Sequence, residues 1–226
     1  MAPSVSAVVA VTRPRPQADD TVRRLRRAGY GTVAAPLLTA EVVAHPGTAG
    51  GIGTIALTSR TAASILACHP RFHHLPVYAV GDATAREARR AGFARVTSAS
   101  GDVTALAVHL AEAPQPIVHL AGQDNAGALV ETLLARGQRA ERRVIYAMRP
   151  ATALPSVPRV DAVLLASPRT AATYAALAVN APWREAPCVA LSAAVAAEVA
   201  DRRVLVARRP DEDALLEALA ELCCDA

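Results

Sequence analysis

The sequence predicts an α/β protein made of two halves of similar design, each a parallel sheet with helices on both faces, with the ligand site in the cleft between them. Three observations predict it. Short apolar runs alternate with helix-like stretches of about ten to fifteen residues, the rhythm of βαβ units. The composition is 52% hydrophobic but only 3% aromatic, with the apolar atoms supplied mainly by Ala, Val and Leu, which argues against an all-β sandwich. Two distinct segments also recur in the same order along 226 residues, a length sufficient for two small cores.

The elements follow in order. Strand 7–12 leads to helix 17–28, which Gly29 closes because glycine accepts the left-handed backbone at a helix end, and then to strand 32–38. Strand 54–58, helix 60–67, strand 77–80, helix 82–91 with its stop at Gly92, and strand 95–98 come next. Asp102 is an N-cap for a helix running through Leu106, Leu110 and Ala111. Strand 117–120, helix 126–136 with Gly137, and strand 142–147 follow. The last stretch alternates strand 162–166, helix 169–179, strand 188–191, helix 193–200, strand 203–207 and helix 211–222. Asp19-Asp20 and Glu212-Asp213 open helices, where carboxylates suit the helix dipole.

Internal similarity organises these elements. Residues 58–64 (Thr-Ser-Arg-Thr-Ala-Ala-Ser) are echoed by 167–173 (Ser-Pro-Arg-Thr-Ala-Ala-Thr), and Val80-Gly81 by Leu191-Ser192. Arg95-Val96 with Asp102 and Leu106 is echoed by Arg203-Val204 with Asp211 and Leu215. Upstream of each copy, 8–13 with Gly29 and 33–37 resembles 117–122 with Gly137 and 144–148. The chain therefore reads a-b-a-b. Tandem halves would divide it near Ala113-Pro114, whereas a swapped arrangement would pair the first a with the last b and leave the middle as one continuous domain. Two Pro-containing, poorly helical stretches, 37–45 and 146–158, would then cross between domains.

Charge and cysteines exclude several classes. All 24 basic residues are Arg, against 20 acidic ones, and the pI is near 9.2. Guanidinium binds carboxylate and phosphate in a bidentate way, so an anionic partner is favoured. The arginines are scattered in pairs without a basic aromatic stripe or recognition helix, which argues against nucleic acid. Cys68 and Cys188 stand alone and are expected to be buried as small apolar residues, while Cys223-Cys224 are adjacent. No C-x-x-C or His pair suggests a metal, and no apolar run reaches the roughly 18 residues of a membrane span. The apolar run near the N-terminus has no basic segment before it, so a cytoplasmic location is expected.

Four strand ends run directly into helices: Thr12-Arg13-Pro14, Thr58-Ser59-Arg60, Val80-Gly81-Asp82 and Ser167-Pro168-Arg169. In open parallel sheets ligands bind outside the carboxyl ends of the strands, where helix N-termini offer free N–H groups to an anion. Arg60 and Arg169 occupy matched places in the first helical turn, where a cation is poorly placed for the helix itself, and Ser192 matches Gly81. Ser and Thr at these places are also ordinary helix caps. No G-x-G-x-x-G, P-loop, G-x-S-x-G or H-E-x-x-H is present, which disfavours a nucleotide-dependent enzyme. His119 in its apolar strand reads as a sheet residue rather than a base, and His73-His74 as surface residues.

The run Val77-Tyr-Ala-Val-Gly-Asp-Ala-Thr-Ala85, ending at Ala91-Gly92-Phe93, resembles the strand–helix signature of the uroporphyrinogen-III synthase family. Val11-Thr-Arg-Pro14, Thr58-Ser59, Leu120-Ala-Gly122, Val144-Ile-Tyr146 and Ala166-Ser-Pro168 resemble its other landmarks in order, across nearly the whole chain. The resemblance implies the swapped arrangement: one domain from 1–38 plus 150–226, a second from 39–149, and two extended linker strands joining them. It implies conversion of hydroxymethylbilane to uroporphyrinogen III, with loss of water, ring closure and inversion of the last pyrrole, without metal or organic cofactor. The substrate's eight carboxylates would explain the arginines, and the protein's main task would be to hold the chain in a productive curl.

By the same resemblance Tyr146 corresponds to a tyrosine that assists departure of the terminal hydroxyl. Thr84 corresponds to a threonine facing the cleft, Ser167 to a serine of the opposite domain, and Gly122 to a landmark glycine of the site. Ala194-Val195 depart from the family where a threonine is common, and 122–125 (Gly-Gln-Asp-Asn) lack the basic residue that often follows the glycine. Either the substrate is held mainly by backbone groups or this is a diverged homologue. The expected ligand set is thus Thr12, Arg13, Ser59, Arg60, Gly81, Thr84, Gly122, Ser167, Pro168, Arg169 and Ser192, with Tyr146 catalytic, in a monomer. The alternative is a non-catalytic protein of this fold that binds or senses a small anion.

Overall fold

The apolar runs and glycine stops translate directly into elements of the computed structural model, which describes residues 7–124, 128–157, 159–181 and 183–224. The chain opens with β1 (Val8–Val11), α1 (Gln17–Arg27), β2 (Gly31–Ala34) and β3 (Leu38–Val42). It continues through β4 (Thr54–Leu57), α2 (Arg60–Leu66), β5 (Val77–Ala79), α3 (Asp82–Arg90), β6 (Val96–Ser98) and α4 (Val103–His109). Then come β7 (Ile117–Gly122), α5 (Leu129–Ala135), β8 (Ala140–Pro150), β9 (Ala162–Leu165) and α6 (Pro168–Leu177). The last elements are β10 (Cys188–Ala190), α7 (Ala193–Ala197), β11 (Val204–Val206) and α8 (Glu212–Cys224). Gly29, Gly92 and Gly137, with φ of +90°, +105° and +77°, end α1, α3 and α5.

The chain divides into two units. Unit 1 comprises Met1–Thr39 and Arg149–Ala226, and unit 2 comprises Ala40–Met148. In unit 1 the sheet order is β11-β10-β9-β1-β2, and its strand pairs are parallel. Alternate residues of each strand face opposite sides. Ala10, Val163 and Leu165 pack with Tyr174 of α6 and Trp183, while Val9, Val11 and Leu164 pack with Leu25 of α1 and Leu215 and Leu219 of α8. Both faces are covered, which explains why these strands read as unbroken apolar runs.

In unit 2 the order is β3-β8-β7-β4-β5-β6, parallel from β8 to β6. Ile55, Leu57, Val118 and Leu120 meet Leu66, Phe72 and Ala88, while Ala56 and Ile117 meet Leu106, Leu110, Leu129 and Leu133 on the other side. Among the described residues no helix is long and apolar enough to cross a membrane, and no three His, Cys, Asp or Glu side chains are grouped as for a metal ion.

Several expectations are corrected. The strand expected at 32–38 is two strands, β2 and β3, separated at Pro36, whose ring nitrogen has no proton for a ladder. The strand expected at 142–147 extends over eleven residues as β8. Cys188 is buried, which pushes its thiol up to about 11, but Cys68 is exposed because it lies beyond α2, whose buried face ends at Leu66. His73 is half-buried: its ring packs on Phe93 at 4.9 Å between centroids, and the absent side chain of Gly92 leaves it room. Ala126, the expected start of the fifth helix, and Pro158, the expected end of the second extended stretch, lie outside the described residues.

Candidate active site

Strand order decides which strand ends meet. In unit 2 the parallel neighbours β7, β4 and β5 deliver Gly122, Thr58-Ser59 and Gly81 to one edge of the sheet. Beside β7, the register with β8 shifts between Ala121 and Gly122, so that Gly122 lies opposite Tyr146. A Cβ on Gly122 would stand 2.6 Å from Cζ of Tyr146 and 2.8 Å from its phenol oxygen. Only glycine lets the ring lie across this strand end. Tyr146, 8% exposed, there donates to Oγ of Ser59 at 2.9 Å. Ser59 is the N-cap of α2 and also accepts from the Thr61 N–H at 3.0 Å. Together with Thr58, Gln123, Asp124 and Met148 these residues line a cavity of about 120 Å³.

A second polar contact backs the cavity. His119, on β7 and 1% exposed, lies with Nε2 2.9 Å from Oγ1 of Thr58. Burial above all, with help from the Arg142 guanidinium and against Glu131, pushes its imidazole down to about 4. His119 is therefore neutral at pH 7. Arg142 donates to the carbonyls of Gly122 and Gln123 at 2.6 and 2.9 Å, fixing the strand end that holds the tyrosine. The expectation that His119 is a sheet residue holds for its place in β7, but the contact with Thr58 joins it to the cavity wall.

The remaining candidates of unit 2 lie around α3. Arg60 and Glu87 form an ion pair at 3.4 Å with both side chains largely buried, joining α2 to α3. Thr84 is buried on α3. Gly81 caps α3 with extended backbone (φ −157°) that any residue adopts. The first turn of α3 already carries a carboxylate, because Asp82 accepts from Ser98 and Ser100, which hold it below the usual range.

In unit 1, neighbouring β1, β9 and β10 end at Thr12-Arg13, Ser167 and Ser192. Thr12 is fully buried and donates to the carbonyl of Leu164 at 2.5 Å, tying β1 to β9. Arg13 pairs with Glu212 at 3.5 Å. Ser167 caps α6, accepting from the Thr170 N–H at 3.2 Å, and its hydroxyl lies 2.8 Å from that of Thr170. Pro168 and Arg169 follow, exposed, in a first turn that contains no acid. Ser192 precedes the five-residue α7 and makes no side-chain cap bond.

Residue patterns alone pointed to Ser59 and not to its partner, since Tyr146 and Gly122 entered only through resemblance. The signal for the partnership was a glycine ending one apolar strand beside an aromatic in the next. Gln123, Met148 and the Thr58–His119 contact carried no such signal.

A model of the family HEM4, uroporphyrinogen-III synthase HemD, matches residues 19–217. The crystal structure of uroporphyrinogen-III synthetase from Helicobacter pylori shares the fold, with a TM-score of 0.63 at 16% identity over 96% of this chain and 100% of that one. A mutant uroporphyrinogen III synthase from Thermus thermophilus aligns over 98% of this chain and 100% of its own at 15% identity, with a TM-score of 0.49. No curated protein matches the sequence.

Proposed function

This chain belongs to the uroporphyrinogen-III synthase family, and from that premise we propose that the cavity of Tyr146, Ser59 and Gly122 is where the terminal hydroxyl of hydroxymethylbilane departs. The protein is an enzyme of tetrapyrrole biosynthesis, a lyase that converts the linear tetrapyrrole to uroporphyrinogen III. The observation that carries the placement is the Tyr146–Ser59 hydrogen bond at 2.9 Å beside a glycine that no other residue can replace without moving the ring. Two hydroxyls held together in a small cavity suit a reaction that needs one proton delivered to a leaving oxygen. Loss of that hydroxyl yields a reactive azafulvene, and positioning then decides which isomer closes.

The substrate's carboxylates need cations and N–H groups. Arg169, exposed in the first turn of a ten-residue helix, is one arginine of the expected set for this role. Arg13 and Arg60 are engaged by Glu212 and Glu87 and contribute first to the fold. Gly81, Ser167, Pro168 and Ser192 stand as secondary contacts, whereas Thr12 and Thr84, expected to face the ligand, are buried and serve the fold. Work as a cytoplasmic monomer without metal or organic cofactor completes the reading, supported by the family resemblance. A non-catalytic anion-binding role is not favoured by the family match.

The test is direct. Purified protein is given hydroxymethylbilane, and the porphyrins are resolved as isomers I and III after oxidation. Isomer III is expected. Isomer I alone, the product of spontaneous closure, would remove the assignment.

A further inference from the structure

Counting protons and lone pairs at Ser59 leads beyond a tyrosine acting alone. A serine oxygen has two lone pairs and one proton. At Ser59 both lone pairs are engaged, one by the Thr61 N–H at 3.0 Å and one by the Tyr146 O–H at 2.9 Å. The phenol proton of Tyr146 therefore lies on Ser59 and not in the cavity. The proton of Ser59 itself meets no acceptor among the described residues, and Ser59 lines the cavity. Two donors on one oxygen polarise its O–H bond, so the hydroxyl is a stronger donor than an isolated serine.

We propose that Ser59, and not Tyr146, gives the proton to the departing hydroxyl, and that Tyr146 is the positioning residue that polarises and reloads it. The step rests on the synthase reading and balances as follows. The C–O bond of the terminal hydroxymethyl group breaks as the electron pair of the adjoining pyrrole nitrogen moves in to form the azafulvene. The leaving oxygen takes the Ser59 proton and departs as water. Ser59 takes the phenol proton of Tyr146, and the proton lost from the pyrrole nitrogen restores the phenol through solvent. The net change is loss of one water. Gly122 serves this relay by leaving room for the ring where its oxygen reaches Ser59.

The experiment compares Ser59→Ala, Ser59→Thr, Tyr146→Phe and the double variant Ser59→Ala/Tyr146→Phe, all in the full chain, reading kcat, KM, isomer III and Tm. Removing a donor aimed at developing charge costs about 100-fold or more in kcat, so Ser59→Ala should fall that far with KM nearly unchanged. Tyr146→Phe should fall by only about tenfold, because the Ser59 proton stays in place. The double variant should match Ser59→Ala, since residues acting as one unit are not additive. Ser59→Thr, which keeps both hydroxyl and cap, should recover most of the rate.

A Tyr146→Phe variant slower than Ser59→Ala would show that the phenol donates directly and would overturn the proposal. Additive losses in the double variant would overturn it too. If Ser59→Ala lowers Tm through the lost cap, Ser59→Asp keeps a capping acceptor but has no proton to give. Fast turnover in that variant overturns the relay, and slow turnover at wild-type Tm supports it. Failure of the underlying reading is separate: wild-type protein would then yield isomer I alone.

Discussion

The two units solve the same packing problem and diverge at one edge. Their sheets have the same order, β11-β10-β9-β1-β2 against β6-β5-β4-β7-β8, with β3 as an added edge strand in unit 2. Their helices α2 and α6 begin alike, since Thr61 and Thr170 occupy matched places in the repeat and each has its N–H capped by a serine. The capping serine differs. In unit 2 it is Ser59, while the matched residue in unit 1 is Pro168 and the cap moves back to Ser167. Ser167 then shares its hydroxyl with Thr170 of its own helix, whereas Ser59 receives Tyr146 from β8. The stretch of unit 1 matched to Tyr146, residues 33–37, contains no aromatic. A common scaffold thus becomes a site through a one-residue shift of a cap, one aromatic and one glycine.

The largest effect that would sharpen this contrast is acid. Unit 2 holds a buried histidine whose imidazole is pushed down to about 4, while unit 1 has no histidine. Because the folded pKa lies below the unfolded one near 6.5, the unfolded chain takes up the proton first, and stability falls as pH drops from about 6.5 to 4. At 1.36 kcal/mol per pKa unit the loss is on the order of 3 kcal/mol. Hydrogen exchange should show unit 2 amides losing protection before those of unit 1, and His119→Gln should flatten the trend. Equal loss in both units would break the contrast.

Next comes Gly122→Ala, which pushes the phenol off Ser59. The Ser59 proton stays in place, so kcat should fall by about tenfold, as for Tyr146→Phe, with the circular dichroism spectrum unchanged. An alanine variant of full activity would show that the close approach is incidental. Arg169→Ala should raise KM about tenfold with kcat held, the loss of one charge-assisted hydrogen bond. Arg60→Ala should lower Tm more than it raises KM, as expected for a partner of Glu87. The smallest effect is Thr12→Val, which removes the bond to Leu164 and should cost about 1 kcal/mol in denaturant unfolding.

The parallel strands, the helices on both faces and the stop glycines were legible because each is a local pattern: an apolar run, an amphipathic stretch or a glycine after it. Part of the repeat was legible only in outline. The echo aligned Val8 with Ile117, but pairing against the neighbouring strands aligns Ala10 with Ile117, since Val163 lies opposite Ala10 and its match Thr54 lies opposite Ile117. A slip of two residues keeps every side chain on its face, so hydrophobicity alone could not detect it. The Tyr146–Ser59 bond joins residues 87 apart and depends on a register shift, which no local pattern encodes. Arg60 was expected to face a ligand. Its carboxylate partner sits 27 residues away on the next helix, beyond the reach of a first-turn argument.

The order of strands also sets a timetable for the ribosome. β1 and β2 emerge first, yet β1 needs β9 on its other side, and β9 begins at Ala162. All of unit 2 is made in between, a delay on the order of ten seconds at about 5–20 residues per second. During that time β1 presents an unpaired, wholly apolar edge to any strand nearby, while unit 2 has every strand it needs. The nascent chain therefore completes its middle before its beginning, and the protection of β1 during synthesis is a hazard that unit 2 does not share.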